Sequence, residues 1–278
     1  MGYEGLFKYE IMLHWLAVIF YIGSAFFYIL GVVFGLTSSL SRGQKLLLLG
    51  LVLHGIALLT RWSYVSHGPY ITKYEVLSSN AWIMNAFFLF VSHKHPRLRF
   101  SGMFVVPLSF TVLAAGILTD RSIKRLPPGF ENIWLVFHIL FNKLAVGAFL
   151  VALGLSIFYY LKVRNYSFKF LERLPTCETL DEYGYQFVTF GFCFWTITIV
   201  AGAIWAKKSW GRYWGWDPVE NWSLITWLLF GLYLHLRRFF GWRGIKGVIF
   251  LFFAFSVSML TIFFLPFLVE SLHSVYFG

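Results

Sequence analysis

Six of the twelve tryptophans fall between Trp205 and Trp227. The core of that stretch reads Trp210-Gly211-Arg212-Tyr213-Trp214-Gly215-Trp216-Asp217-Pro218-Val219-Glu220-Asn221-Trp222. Tryptophan concentrates at membrane interfaces because one end of the ring is apolar and the other polar. That accounts for some of these residues but not for a loop so dense in Trp and Gly. Flat indoles beside glycines make a platform for a large planar apolar ligand. Lys207, Lys208 and Arg212 would then face the carboxylates of such a ligand. Asp217 and Glu220 leave two roles open. Asp-Pro-x-Glu is a helix start, with Asp217 at N-cap, Pro218 at N1 and Glu220 at N3. The same carboxylates could instead take part in chemistry directly.

Eight histidines accompany the loop. His93 and His95 lie in a basic loop and should be solvated. His67, beside Gly68-Pro69, reads as a turn residue. His14 and His54 fall inside apolar runs, where packing or a local hydrogen bond is the expected role. Ionisable groups inside a membrane are costly, so His54, His138 and His235, in or near spans, and His273, just past the last, are each functional candidates. His138 sits about 8 Å into one apolar segment at ~1.5 Å per residue. His273 follows the last apolar segment on the same side as the Trp-rich loop. Two imidazoles at one level beside an aromatic platform have the makings of a bis-histidine haem site. Two unrelated interfacial histidines would look the same. His235 lies seventeen residues past Pro218, about 26 Å away at ~1.5 Å per residue. It cannot reach the platform, and serves either a second site or a structural hydrogen bond.

These residues must be positioned by membrane helices. The chain has 278 residues, 59% hydrophobic, 22% aromatic and 13% charged, with mean hydropathy +0.70. Soluble domains carry about 25% charged residues, so a soluble enzyme, a disordered chain and a fibrous repeat are excluded. A spanning helix needs about 20 apolar residues. The sequence reads as an all-α polytopic transmembrane bundle, a single domain over 1–278, with about eight spans. They run over 11–35, 45–62, 80–92, 102–119, 133–161, 184–206, 218–236 and 247–268. The N-terminus lacks a basic n-region, so the first run reads as a retained span. Net charge is +11. On a membrane protein that points to basic loops or an anionic ligand, and no nucleic-acid partner is expected. Thirteen Lys and Arg lie in one set of alternate loops and nine in the other. The richer set should be cytoplasmic, with both termini and the Trp-rich loop outside. The outer set remains unusually basic, which an anionic ligand would explain. Cys177 and Cys193 form no CxxC, so a dithiol role is not expected.

The Trp210–Trp222 run, continuing through Tyr233-Leu234-His235-Leu236-Arg237, resembles the WWD signature (segment 205–227) of haem-handling proteins that assemble c-type cytochromes. The continuation is similar to the CcsA (ResC) branch. Further stretches resemble it too: Arg61-Trp62, His67-Gly68-Pro69, Tyr74-Glu75, Leu126-Pro127 with Trp134 and His138, and Leu272-His273-Ser274. The resemblance implies haem b as cofactor, with His138 and His273 ligating its iron on the outer face. It implies that His235 ligates haem at a second, membrane-embedded site whose partner ligand lies in a CcsB (ResB) protein. Trp210, Trp214, Trp216, Trp222, Arg212 and Asp217 would shape the haem pocket. The implied partners are that membrane protein, apocytochrome c and lipid. The implied activity is presentation of haem for thioether attachment to a CxxCH segment, in a bacterial plasma membrane or plastid thylakoid. Val219 and Asn221 depart from the Lys and Thr frequent there, and Lys207-Lys208 could compensate. The competing readings are a relative that hands haem to a chaperone, and a haem-free transporter or structural subunit.

Overall fold

The computed structural model describes residues 3–124, 126–127, 129–164, 166, 168–265 and 269. Among them are eight α-helices and no strand. They are α1 (Tyr3–Val33), α2 (Thr37–Val65), α3 (Lys73–Lys94), α4 (Gly102–Ile117), α5 (Ile133–Val163), α6 (Cys177–Trp210), α7 (Pro218–Phe239) and α8 (Ile245–Met259). A 3-10 turn over Pro96–Ser101 leads into α4, and a π-helical turn over Leu260–Phe264 extends α8. Each helix corresponds to one segment expected from hydropathy, so the protein is an all-helical integral membrane protein. Six are long and apolar enough to cross a membrane: α1, α2, α4 with its 3-10 turn, α5, α6 and α8 with its π turn. The helices α3 and α7 fall short. Lys73, Glu75, Asn80 and Asn85 on the first, and Glu220, Asn221, Arg237 and Arg238 on the second, supply the polarity.

The chain divides into two compact units, residues 1–125 with 167–175, and residues 126–166 with 176–278. The first contains α1 to α4. Its helices approach closely where glycines meet aromatic rings: a Cβ on Gly50 of α2 would lie 2.8 Å from the Tyr21 ring of α1. Without a hydrophobic drive between helices in lipid, such close packing is what holds them. The start of α3 at Lys73, earlier than hydropathy indicates, follows from a capping box. Thr72 accepts from the Glu75 N–H, and Glu75 accepts from the Thr72 N–H.

The second unit contains α5 to α8. The Phe149 ring of α5 lies parallel to Phe230 of α7 at 3.7 Å. Gly191 of α6 admits Phe149, since a Cβ there would be 2.3 Å from the ring. Trp195 Nε1 donates to the Ser223 carbonyl at 3.1 Å, and Trp227 Nε1 to Thr196 Oγ1 at 2.8 Å. Arg237 makes a two-pronged pair with Asp181 at 2.6 and 2.7 Å and lies over Tyr185. These contacts fix α7 against α6, and so fix the origin of the Trp-rich loop between them. Cys177 and Cys193, both on α6, are free thiols, the second exposed.

Candidate functional site

Asn132 caps α5 by accepting from the Trp134 N–H at 3.0 Å. That start makes His138 the sixth residue of the helix. Its Nδ1 lies 2.9 Å from the Thr198 carbonyl of α6. A carbonyl only accepts, so Nδ1 carries the proton and, in the neutral ring, Nε2 carries the lone pair. Gly202, one turn along α6, gives the ring its seat: a Cβ there would be 2.6 Å from Nδ1. The Trp205 indole stacks beside the imidazole at 6.2 Å. Trp205 is in turn fixed by Phe130 at 5.4 Å, by Trp210 at 4.8 Å, and by donating from Nε1 to the Gly129 carbonyl at 3.1 Å.

Beyond Trp210, Gly211 ends α6 in a left-handed conformation at φ +78, the backbone state only glycine adopts cheaply. Lys207 bonds the Gly211 carbonyl at 2.8 Å and lies over the Tyr213 ring at 5.7 Å. It therefore closes the helix end, while Lys208 and Arg212 stay exposed. Arg212 folds over Gly215, where a Cβ would be 2.8 Å from the guanidinium. Trp214 and Trp216 meet edge to face at 6.0 Å. The Trp214 indole nitrogen is buried with no protein acceptor. Trp216 is 71% exposed and sits at φ +58. Its carbonyl accepts from Asn221 Nδ2 at 3.0 Å. Trp222 is half-buried on the first turn of α7.

The expected capping box at α7 is present, with Asp217 at N-cap and Glu220 at N3. The Glu220 carboxylate goes further, taking the N–H groups of Asp217 at 3.1 Å and Gly215 at 2.7 Å. His235 lies exposed on α7, with Phe239 and Phe240 at 4.7 and 5.8 Å. His273 lies outside the described residues. Sequence reasoning missed Thr198, Gly202 and Trp205 as the setting of His138.

The remaining histidines fall into two groups. His93 and His95 are exposed, as expected. His14, His54 and His67 are buried in the first unit. His67, read as a turn residue, bonds the Gly68 and Lys124 carbonyls at 2.9 Å each. Arg61 donates to Glu75 at 2.9 Å and to the carbonyls of Arg121 and Ser122. Arg121 turns back onto the Ile117 carbonyl. The surplus basicity of that set of loops therefore has an internal cause at these two residues, and needs no ligand to explain them.

A membrane-helical bundle that seats a tautomer-fixed imidazole beside a tryptophan-walled, basic loop defines a class: all-helical integral membrane proteins with an aromatic, basic site between α5, α6 and the loop before α7. Residues 70–273 match the family described as Cytochrome C assembly protein, and the chain belongs to that family. It is 32% identical over 219 residues to cytochrome c biogenesis protein CcsA of Welwitschia mirabilis, covering 68% of this chain and 72% of that one. The protein of the same name from Synechococcus sp. (strain JA-3-3Ab) is 29% identical over 97% of this chain and 95% of its own. The CcsA resemblance drawn from the sequence is thereby borne out. Among solved structures, one titled Cytochrome c Heme Lyase CcmF superposes with a TM-score of 0.71 at 19% identity. It covers 96% of this chain, and this chain spans 48% of that structure's length, so the likeness is one of fold.

Proposed function

We propose that the chain is the membrane subunit of a cytochrome c haem-attachment machine, holding haem b and offering it on the outer face to apocytochrome c. The seating of His138 carries this reading. Metal-ligating histidines commonly donate their second ring N–H to a carbonyl or carboxylate, which fixes tautomer and orientation. His138 does so to Thr198, which leaves Nε2 as the nitrogen able to take an iron. The residues also suit the rest of a haem. Trp210, Trp214, Trp216 and Trp222 offer apolar faces. Arg212, Lys208 and the buried Trp214 N–H offer donors to carboxylates. When bound, haem supplies two vinyl groups, across each of which a CxxCH thiol adds to give a thioether. The chain's own part is to orient and to exclude water. His138 with His273 would hold the iron and the loop would bound the planar face, with Asp217 fixing the loop's junction to α7. His235 faces outward from its unit, where an imidazole can share a metal with a ligand from another chain. A CcsB (ResB)-type membrane protein is the partner we assign to it.

The test is a reduced pyridine haemochrome spectrum of the chain purified with that partner under haem-replete expression. His138→Ala should lose most outer-site haem, and Gly202→Ala should mimic it although it removes no ligand atom. His235→Ala should lower haem content, with added imidazole restoring part of it. A wild-type complex with no Soret band would sink the proposal. Normal haem content in both the His138 and Gly202 variants would remove the outer site as drawn.

A further inference from the structure

The first unit holds a file of buried side chains that the haem reading does not use. In order they are Tyr21, His54, Ser78, His14, Tyr74 and Glu10, drawn from α1, α2 and α3, and all of them are buried. Tyr21 Oη lies 3.1 Å from His54 Nδ1. His54 Nε2 and His14 Nε2 each lie 2.9 Å from the one Ser78 hydroxyl. His14 Nδ1 lies 3.0 Å from the Glu10 carbonyl and 3.1 Å from Tyr74 Oη. Tyr74 donates to Glu10 Oε1, and Tyr64 donates to Oε2. Tyr64 is half-buried, so the file reaches the surface there.

One group sets the direction of every hydrogen bond in the file. The Glu10 carbonyl can only accept, so His14 Nδ1 donates and, in the neutral ring, Nε2 accepts. Ser78 must then give its single hydrogen to His14. It has none left for His54, so His54 Nε2 donates to Ser78 and His54 Nδ1 accepts from Tyr21. All donors therefore point the same way, from Tyr21 toward Glu10. The distance spanned is about 16 Å along α1 at ~1.5 Å per residue.

We propose that this file is a proton relay linking the interior of the first unit at Tyr21 to the surface at Tyr64. Buried chains of His, Tyr and carboxylate inside a membrane characteristically serve that purpose. Each step conserves protons. A proton arriving on Tyr21 Oη displaces the hydroxyl proton to His54 Nδ1. The His54 Nε2 proton passes to Ser78, and the Ser78 proton passes to His14 Nε2. His14 is now a cation, and the bonds from Tyr21 to Ser78 have reversed. His14 discharges through Nδ1 to Tyr74, whose own proton goes to the Glu10 carboxylate, and the carboxyl then gives a proton to Tyr64 Oη as the Tyr64 hydroxyl proton leaves to solvent. The charges that face the file are Glu10 on α1, Arg61 on α2, Glu75 on α3 and Arg121 beyond α4. Arg61 and Arg121 lie over the Tyr74 ring at 5.4 and 5.8 Å, and Arg61 also lies beside Tyr64.

The test uses the full chain, labelled with 15N-histidine and reconstituted in lipid, with His14→Asn and His54→Asn assigning the resonances. At neutral pH His14 should carry its proton on Nδ1 and His54 on Nε2. On acidification, charge on His14 should appear together with a switch of His54 to the Nδ1–H form. Deuterium should enter the His54 N–H at least tenfold more slowly in Ser78→Ala, which breaks the file with the loss of one hydroxyl. Tyr74→Phe breaks it at the discharge step and should slow exchange likewise, which keeps the test decisive if Ser78→Ala does not fold. The opposite tautomers in the wild type, or equal exchange rates in wild type, Ser78→Ala and Tyr74→Phe, would overturn the relay.

Discussion

Trp216 combines a left-handed backbone with an indole 71% exposed. A non-glycine residue in that region costs roughly 1–3 kcal/mol, and such strain gathers at functional loops. Trp216→Gly should therefore leave the protein as stable as before or about 1 kcal/mol more stable, yet weaken haem retention. A thermal melt in detergent beside a haemochrome assay reads both, and full haem retention would show that this indole is no part of the wall. At Asp217, the cap geometry makes Asn a good substitute, while Ala should cost about 1 kcal/mol. If Asp217→Asn damages cytochrome c maturation as much as Asp217→Ala, the carboxylate has a role beyond capping. Local motifs of this kind were legible: Asp217, Pro218 and Glu220 announce a helix start within four residues. The seat of His138 was not. It depends on α5 meeting α6 sixty residues away, and its decisive member, Gly202, has no side chain to suggest chemistry.

At the scale of elements, the stretches Arg61-Trp62, His67-Gly68-Pro69 and Tyr74-Glu75 resembled a family without a derived role. The fold gathers them. Glu75 caps α3, takes the Ile71 N–H at 2.9 Å and pairs with Arg61. Removing one partner of such a buried pair leaves an uncompensated charge, at a cost of about 3–5 kcal/mol. Arg61→Met should lower the detergent melting temperature of the first unit accordingly. Arg61→Met with Glu75→Met should recover only part of the loss, since the cap of α3 goes too. A melting temperature unmoved by Arg61→Met would mean the pair is solvated. The positions of all eight helices followed from hydropathy, but their ends did not. The true start of α3 is hidden because Glu75, Ser78, Ser79 and Asn80 are polar residues turned inward. A sliding hydropathy average cannot separate those from polar residues facing water.

At the scale of the whole molecule, the excess of basic residues in the opposite set of loops predicts that the Trp-rich loop lies outside. Replacing Cys177 and Cys193 with Ala and the exposed Lys208 with Cys gives one reporter. A membrane-impermeant maleimide should label it in intact cells or in right-side-out vesicles. Labelling only after the membrane is opened would reverse the orientation and move the proposed haem site to the cytoplasmic face. The two native cysteines carry a further consequence. They stand sixteen positions apart on one helix, about 24 Å along its axis at ~1.5 Å per residue. No disulfide can close over that distance. If the chain works beside a client's thiols, as proposed, neither cysteine can resolve a mixed disulfide formed on the other. Any such adduct on Cys177 or Cys193 would persist until an outside thiolate attacked it.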